Sequence, residues 1–133
     1  MKKNKAEVLI PANLDNSPEQ HEIDAALILA NHYNTVVEFL RPIDDYLIKT
    51  PDIRMTDRMW EMKSPVGNSK NTVSHQIKRA VKQSVNIVFD GRRSSIQDSV
   101  LEKELKREAG KHPSIRKIIF IDKEKNVVEI IWK

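Results

Sequence analysis

The stretch RMWEMKSPVGNSKNTVSHQIKRAVKQSVNIVFD, from Arg58 to Asp90, decides the fold. Its first six residues alternate in character as in a strand with two different faces. Ile87-Val88-Phe89 is an apolar run typical of a strand covered on both faces. Between them, apolar residues recur at helical spacing over 73–81. A strand, a helix and a second strand in this order predict a βαβ crossover with two parallel strands.

Before Arg58, the sequence predicts a helix and two strands. Ser17 can cap the helix with Pro18 in its first position, and an apolar stripe at helical spacing leads to an end near Tyr33. A strand over 36–40 follows, then a polar connection over 43–50, and then a strand over 52–55 that pairs with 58–63 across the turn Thr56-Asp57.

After Asp90, a third helix is predicted from about Ser95 to Ala109, where Gly110 and Pro113 stop it. Residues 117–122 and 127–132 form a last hairpin. The periodicity gives no support for a strand near residues 8–10. The fold class is therefore α/β, a mixed β-sheet flanked by helices on both faces, in a single domain spanning 1–133.

Composition excludes several classes of protein. The chain has 133 residues, of which 39% are hydrophobic and 32% charged, so it is not a disordered or low-complexity sequence. Cysteine is absent, which excludes disulfides and thiolate zinc sites. No apolar run approaches the roughly 18 residues of a membrane span. We expect a cytoplasmic protein without membrane association.

The basic charge is concentrated in the middle of the chain. The 23 Lys and Arg residues exceed the 19 Asp and Glu residues by four. Over residues 63–93, seven basic residues face one acid, Asp90, so this segment carries +6. Such a segment is either a solvated helix face or a surface for a polyanion such as nucleic acid.

One face of the strand 58–63 carries the residues that suggest chemistry. Glu61 and Lys63 alternate with Trp60 and Met62, and a hairpin of this length can bring Asp52 beside Glu61. Two carboxylates and an amine suit metal-assisted phosphodiester hydrolysis, because oxygen ligands hold Mg²⁺ and leave room for water and phosphate. The alternative is a cross-strand ion pair on a solvated sheet face.

The second helix offers candidate phosphate contacts. Spacings of three, four and seven place His75, Lys78 or Arg79, and Lys82 along one face, and Lys70 precedes the helix. His75 can also act as a general base if no metal is used. A solvated helix face explains the same pattern. His21, His32 and His112 have no evident partners and are interpreted as surface residues.

The motif also carries a resemblance to known nucleases. Pro51-Asp52 followed by Glu61-Met62-Lys63, a helix and an apolar strand resembles the PD-(D/E)XK nuclease superfamily. The wider stretches at 50–53, 60–65 and 83–88 resemble the C-terminal tRNase toxin domains of contact-dependent growth inhibition proteins, and the resemblance covers about residues 20–130.

This resemblance implies a restriction-endonuclease-like αβββαβ core with an added helix and a C-terminal β-hairpin. It also implies roles for individual residues. The implied catalytic residues are Asp52, Glu61, Lys63 and Gln83, with Asp52, Glu61 and an acid of the first helix (Glu22 or Glu19) as metal ligands. The implied cofactor is Mg²⁺ or another divalent cation such as Mn²⁺ or Zn²⁺.

The expected function is that of a metal-dependent endonuclease, an RNase acting on tRNA as a toxin. The expected partners are tRNA and an acidic immunity protein, and a delivered toxin would act in the cytoplasm of the target cell. Two alternatives stay open. The first is a catalytically inactive nucleic-acid-binding or regulatory module, and the second is a metal-independent RNase that uses His75.

Overall fold

The computed structural model describes residues 5–12, 17–40 and 51–133. In these residues, seven strands form one sheet in chain order. The strands are Glu7–Leu9 (β1), Val36–Phe39 (β2), Ile53–Met55 (β3), Arg58–Lys63 (β4), Asn86–Asp90 (β5), Lys117–Ile121 (β6) and Val127–Trp132 (β7). The helices are Gln20–Tyr33 (α1), Thr72–Ala80 (α2) and Asp98–Lys111 (α3). No helix within these ranges has the length and apolar character needed to cross a membrane.

The sheet is mixed, as the sequence predicts. β3 and β4 form an antiparallel hairpin, while β4, β5 and β6 run parallel to one another. The parallel pairing of β4 with β5 confirms the crossover through α2. Thr56 and Asp57 turn the hairpin with positive φ values of 52° and 60°, the conformation of a type I′ turn. This two-residue turn sets the register that brings Asp52 level with Glu61.

Helices cover both faces of the sheet, which confirms the α/β fold class. α1 packs on one face against Val37, Trp60 and Val88. α2 and α3 pack on the other face against Ile87 and Phe89. Neighbouring residues of a strand point to opposite faces, so the apolar run of β5 supplies both cores at once. The order α1-β2-β3-β4-α2-β5 matches the αβββαβ order expected for residues 17–90.

Two helix starts, one helix end and one strand differ from the prediction. α3 ends at Lys111 and not at Ala109, so Gly110 lies inside the helix and does not stop it. α1 begins at Gln20 and not after Ser17, because Glu19 caps it in a reciprocal capping box with Glu22. α3 begins at Asp98 and not at Ser95, because the preceding loop is held by side-chain hydrogen bonds of Ser94. The sheet gains β1, whose three residues are too few to show periodicity. The predicted connection over 43–50 lies outside the described residues.

Candidate active site

β3 and β4 place three predicted site residues on the face that α2 covers. Trp60 is fully buried on the α1 side, so Glu61 and Lys63 point to the opposite side. Ile53 pairs with Trp60, which places Asp52, the residue before β3, next to Glu61. The Nζ atom of Lys63 lies 3.0 Å from Oε2 of Glu61. The structure thus brings Asp52, Glu61 and Lys63 together.

Glu61 is the buried member of this group. Its exposed fraction is 3%, and its Oε1 atom has no hydrogen-bond partner. Burial raises the pKa of Glu61 from 4.5 to about 8, the charge of Asp52 adds to the rise, and Lys63 opposes it. Two carboxylates face a single amine here, so the site carries one net negative charge when all three groups are ionised. A proton or a cation between Asp52 and Glu61 would offset it.

The backbone of β4 holds the Asp52 carboxylate in place. Its Oδ2 accepts a hydrogen bond of 2.8 Å from the N–H of Met62, and the Asp52 N–H donates to the Trp60 carbonyl at 3.0 Å. Both bonds come from the strand that carries Glu61, so the separation of the two carboxylates depends on the hairpin register. We call Asp52 and Glu61 the carboxylate pair.

A cavity of about 340 Å³ opens beside Lys63. It is lined by Lys63, Arg79, Lys82 and Gln83, and we call it the basic cavity. Gln83 and two of the predicted phosphate contacts are therefore brought to the site. Lys70, His75 and Lys78 are exposed and do not line this cavity. Their predicted contacts with nucleic acid stay predictions.

The first helix does not bring Glu22 to the carboxylate pair. Because α1 begins at Gln20, Glu22 turns back to the helix start, where its Oε1 accepts the Glu19 N–H at 2.9 Å. Within residues 5–12, 17–40 and 51–133, no three His, Asp or Glu side chains form a group that could hold one metal ion. Among the residues that the structure describes, Asp52 and Glu61 are the carboxylates brought to this site.

Sequence reasoning missed the residues that anchor the start of β4. Ser84 Oγ and Asn86 Nδ2 both donate to the Met59 carbonyl, at 2.9 and 3.2 Å. These bonds tie β4 to the segment after α2, and so to Gln83 of the basic cavity. The sequence feature that could have indicated these bonds is the small polar residues directly before the apolar run of β5.

His21 also has partners that the sequence did not reveal. Its Nε2 atom lies 2.6 Å from Nη1 of Arg93, and its Nδ1 atom lies 3.3 Å from Oε2 of Glu19. Arg92 is paired with the buried Asp90 and donates to the His21 carbonyl at 2.8 Å. These contacts join the start of α1 to the loop after β5, so the interpretation of His21 as an unpartnered surface residue was wrong.

Comparisons with known proteins agree with this topology. A family model described as the contact-dependent growth inhibition CdiA C-terminal domain matches residues 49–127. Among solved structures, a chain of the CdiA-CT/CdiI toxin and immunity complex from Burkholderia pseudomallei is similar in fold, with a TM-score of 0.63 and 20% identity. The similarity covers 92% of this chain and 97% of that one. No curated protein sequence matches the chain significantly.

Proposed function

The chain belongs to the contact-dependent growth inhibition CdiA C-terminal domain family, and on that basis we propose that it is a toxin domain that cleaves the phosphodiester bonds of RNA, with tRNA as its substrate. Membership of this family implies a toxic activity of the nuclease type. The choice of tRNA, the membership of the PD-(D/E)XK superfamily and the use of a metal ion belong to the proposal. The carboxylate pair beside Lys63 and the basic cavity is the observation that supports it most.

The carboxylate pair fits a divalent cation. Glu61 Oε1 is a buried oxygen without a hydrogen-bond partner, and burial, with the negative charge of Asp52 beside it, raises the pKa of Glu61. Hard oxygen donors of this kind suit Mg²⁺ or Mn²⁺, which keep several water ligands. Asp52 and Glu61 would hold the ion, which would lower the pKa of a bound water and neutralise phosphate charge.

Lys63 has the position of a charge-stabilising residue. Its ammonium group contacts Glu61 Oε2 on one side and lines the basic cavity on the other. A phosphate in the cavity would therefore lie close to a fixed positive charge, which stabilises the negative charge that builds on the phosphate oxygens. Gln83 lines the same cavity and can orient a water molecule or a phosphate oxygen through its amide.

Arg79 and Lys82 supply the remaining charge of the basic cavity. Both side chains are exposed, so they can approach a phosphodiester backbone. Contacts of this kind provide affinity without sequence selectivity. The folded shape of tRNA would then have to provide selectivity through contacts elsewhere on the domain.

An immunity protein is the expected partner. The solved structure with a similar fold is a toxin in complex with its immunity protein, which supports the same arrangement here. An acidic partner that covers Lys63, Arg79 and Lys82 would block access to the carboxylate pair through complementary charge. Delivery of the domain into the cytoplasm of a target cell is part of the same proposal.

The test is cleavage of purified tRNA, ribosomal RNA and DNA, each with Mg²⁺ and with EDTA. We expect cleavage of tRNA that EDTA abolishes and Mg²⁺ or Mn²⁺ restores. Lys63→Met should lose cleavage with its fold intact, whereas His75→Ala should cleave as the unmodified protein does. Full activity in EDTA together with loss in His75→Ala would replace the metal mechanism by one based on His75.

A further inference from the structure

A second group of basic residues lies at the amino end of the parallel strands. Arg58 begins β4, Lys117 begins β6 with Arg116 directly before it, and Lys133 follows β7. The Lys133 N–H donates to the Arg116 carbonyl at 2.9 Å, so the last strand returns to this same end. We call Arg58, Arg116, Lys117 and Lys133 the amino-end cluster.

Lys117 is the member of this cluster that packing holds in place. Lys117 is only 3% exposed, and its Nζ atom lies 4.3 Å from the centroid of the Trp132 ring and 2.7 Å from the Lys133 carbonyl oxygen. Burial lowers the pKa of Lys117, and the nearby charges of Arg58 and Arg116 add to this effect while Glu129 opposes it. The fold therefore places Arg58 and Arg116 near enough to Lys117 to lower its pKa.

The described residues do not neutralise these charges. Over 5–12, 17–40 and 51–133, no side-chain carboxylate lies within 4.0 Å of the charged groups of the cluster. Glu129, on β7, instead accepts the Tyr33 hydroxyl at 2.9 Å. Arg58, Arg116 and Lys133 are exposed, so a bound anion can reach them.

The cluster is also connected to the basic cavity. Lys82 and Gln83 line the cavity, and the next two residues reach the amino end of the sheet. Ser84 Oγ bonds to the carbonyl of Met59, the neighbour of Arg58, and the Val85 carbonyl accepts the N–H groups of Arg116 and Lys117. Arg58 lies three residues from Glu61, about 10 Å along β4, and strand alternation points its side chain to the α1 face, opposite Glu61. A strand bound at the carboxylate pair must therefore pass around the amino end of the sheet, over several more nucleotides, to reach the cluster.

We propose that the amino-end cluster is a second contact surface for the RNA substrate, binding phosphates several nucleotides from the bond that is cleaved. This inference rests on the proposed nuclease function. It predicts that affinity grows with substrate length, because short strands contact the basic cavity alone. Phosphates are the expected ligands because several cations share one surface and no side-chain carboxylate of the described residues forms an ion pair with them.

The experiment compares cleavage of RNA strands of about 20 and about four nucleotides, since only the longer one can span both surfaces. Arg58→Gln with Arg116→Gln should raise KM for the long strand at least about tenfold, leave kcat unchanged and leave cleavage of the short strand unchanged. In the Glu61→Gln background, the same pair should reduce the salt dependence of long-strand binding by about 1.4 in log–log slope, for two lost contacts.

Lys103→Gln with Lys106→Gln is the matched control, since it removes two exposed charges from α3 and should change none of these values. Arg58 donates to the Thr56 carbonyl in the hairpin turn, so Arg116→Glu provides a second variant that leaves this turn intact. Trp132 fluorescence gives an independent readout, because long-strand binding should change it and Trp132→Phe should abolish the change.

Unchanged KM and salt slope for the long strand in folded variants would overturn the inference and leave the nuclease proposal standing. Polyglutamate serves as a probe for an acidic protein partner. If the cluster variants lose binding to polyglutamate but bind RNA as the unmodified protein does, the inference is overturned and the cluster is assigned to an acidic protein. If the unmodified protein neither binds nor cleaves RNA of any length, the proposed function fails and this inference fails with it.

Discussion

The Lys63 ammonium lies 3.0 Å from one oxygen of Glu61, while the other oxygen of Glu61 is buried without a hydrogen-bond partner. Asp52 adds a second carboxylate beside this arrangement. A buried ion pair with a spare oxygen and an adjacent acid lacks positive charge, which disfavours it as a purely stabilising contact. It is the arrangement that a bound cation would complete.

Glu61→Gln should lower cleavage by several orders of magnitude and leave RNA binding within about twofold. The substitution keeps the size of the side chain but removes the charge that would hold a cation. Single-turnover cleavage and equilibrium binding measure the two effects. Glu124→Gln, in the exposed turn before β7, is the control and should cleave normally. Cleavage by the Glu61 variant within tenfold of normal would contradict the assigned role.

The stability of the protein should fall as the pH rises in the absence of divalent cations. The pKa of Glu61 is raised from 4.5 to about 8 in the fold, so the folded state binds the extra proton. This contribution is fully present below pH 4.5 and is lost as the pH rises through about 8. Relative to Glu61→Gln, the unmodified protein should lose more than about 1.4 kcal/mol over this window. Denaturant unfolding measures it, and parallel pH profiles of the two proteins would contradict it.

Divalent cations should stabilise the folded protein above pH 8. Binding to the ionised carboxylate pair adds free energy to the folded state only, so Mg²⁺ or Mn²⁺ should raise the melting temperature by a few degrees and EDTA should reverse the change. Asp52→Asn and Glu61→Gln should show no such response. An equal rise in all three proteins would indicate a binding site elsewhere.

Arg79→Gln with Lys82→Gln should weaken RNA binding and lower the log–log salt slope by about 1.4, since each lost contact with a single strand contributes about 0.7. Both residues line the basic cavity, whereas Lys78 on the same helix does not. Lys78→Gln is therefore the matched control, with an expected change well below that of either single variant. An effect of Lys78→Gln as large as that of Arg79→Gln would show that the helix acts only through its net charge.

Gly91→Ala should destabilise the fold by about 1–3 kcal/mol through overpacking. A Cβ atom at this position would lie 2.7 Å from Phe120, 2.9 Å from Leu101 and 3.2 Å from the carbonyl oxygen of Ile121. Gly110→Ala is the control, because no atom of the described part of the chain would lie within 4 Å of its Cβ atom and alanine favours a helix by about 0.5–1 kcal/mol. Thermal unfolding should therefore move in opposite directions for the two variants, and a shift of equal sign would contradict the packing argument.

Local patterns were sufficient to predict the core of the fold and the candidate pair. Strand alternation from Arg58 to Lys63 predicts that Glu61 and Lys63 share a face opposite Trp60, and the structure has this arrangement. The helix over 72–80 and the parallel strand after it also follow from periodicity. These features depend on neighbours in sequence, so the sequence contains the information they need.

Tertiary structure alone decided the environment of each charge. The burial of Glu61 depends on how distant elements pack around β4, and no residue near it in sequence indicates how deep it lies. Glu22 turns to Glu19 because α1 begins two residues later than its polar start suggests. Arg58 lies near enough to lower the pKa of Lys117 because β4 and β6 run parallel on either side of β5. Local sequence determined which way the side chains of each strand point. Long-range strand pairing determined which charges lie on the same surface. Coulomb energies depend on distance in space and not on separation along the chain, so the sequence alone could not predict these interactions.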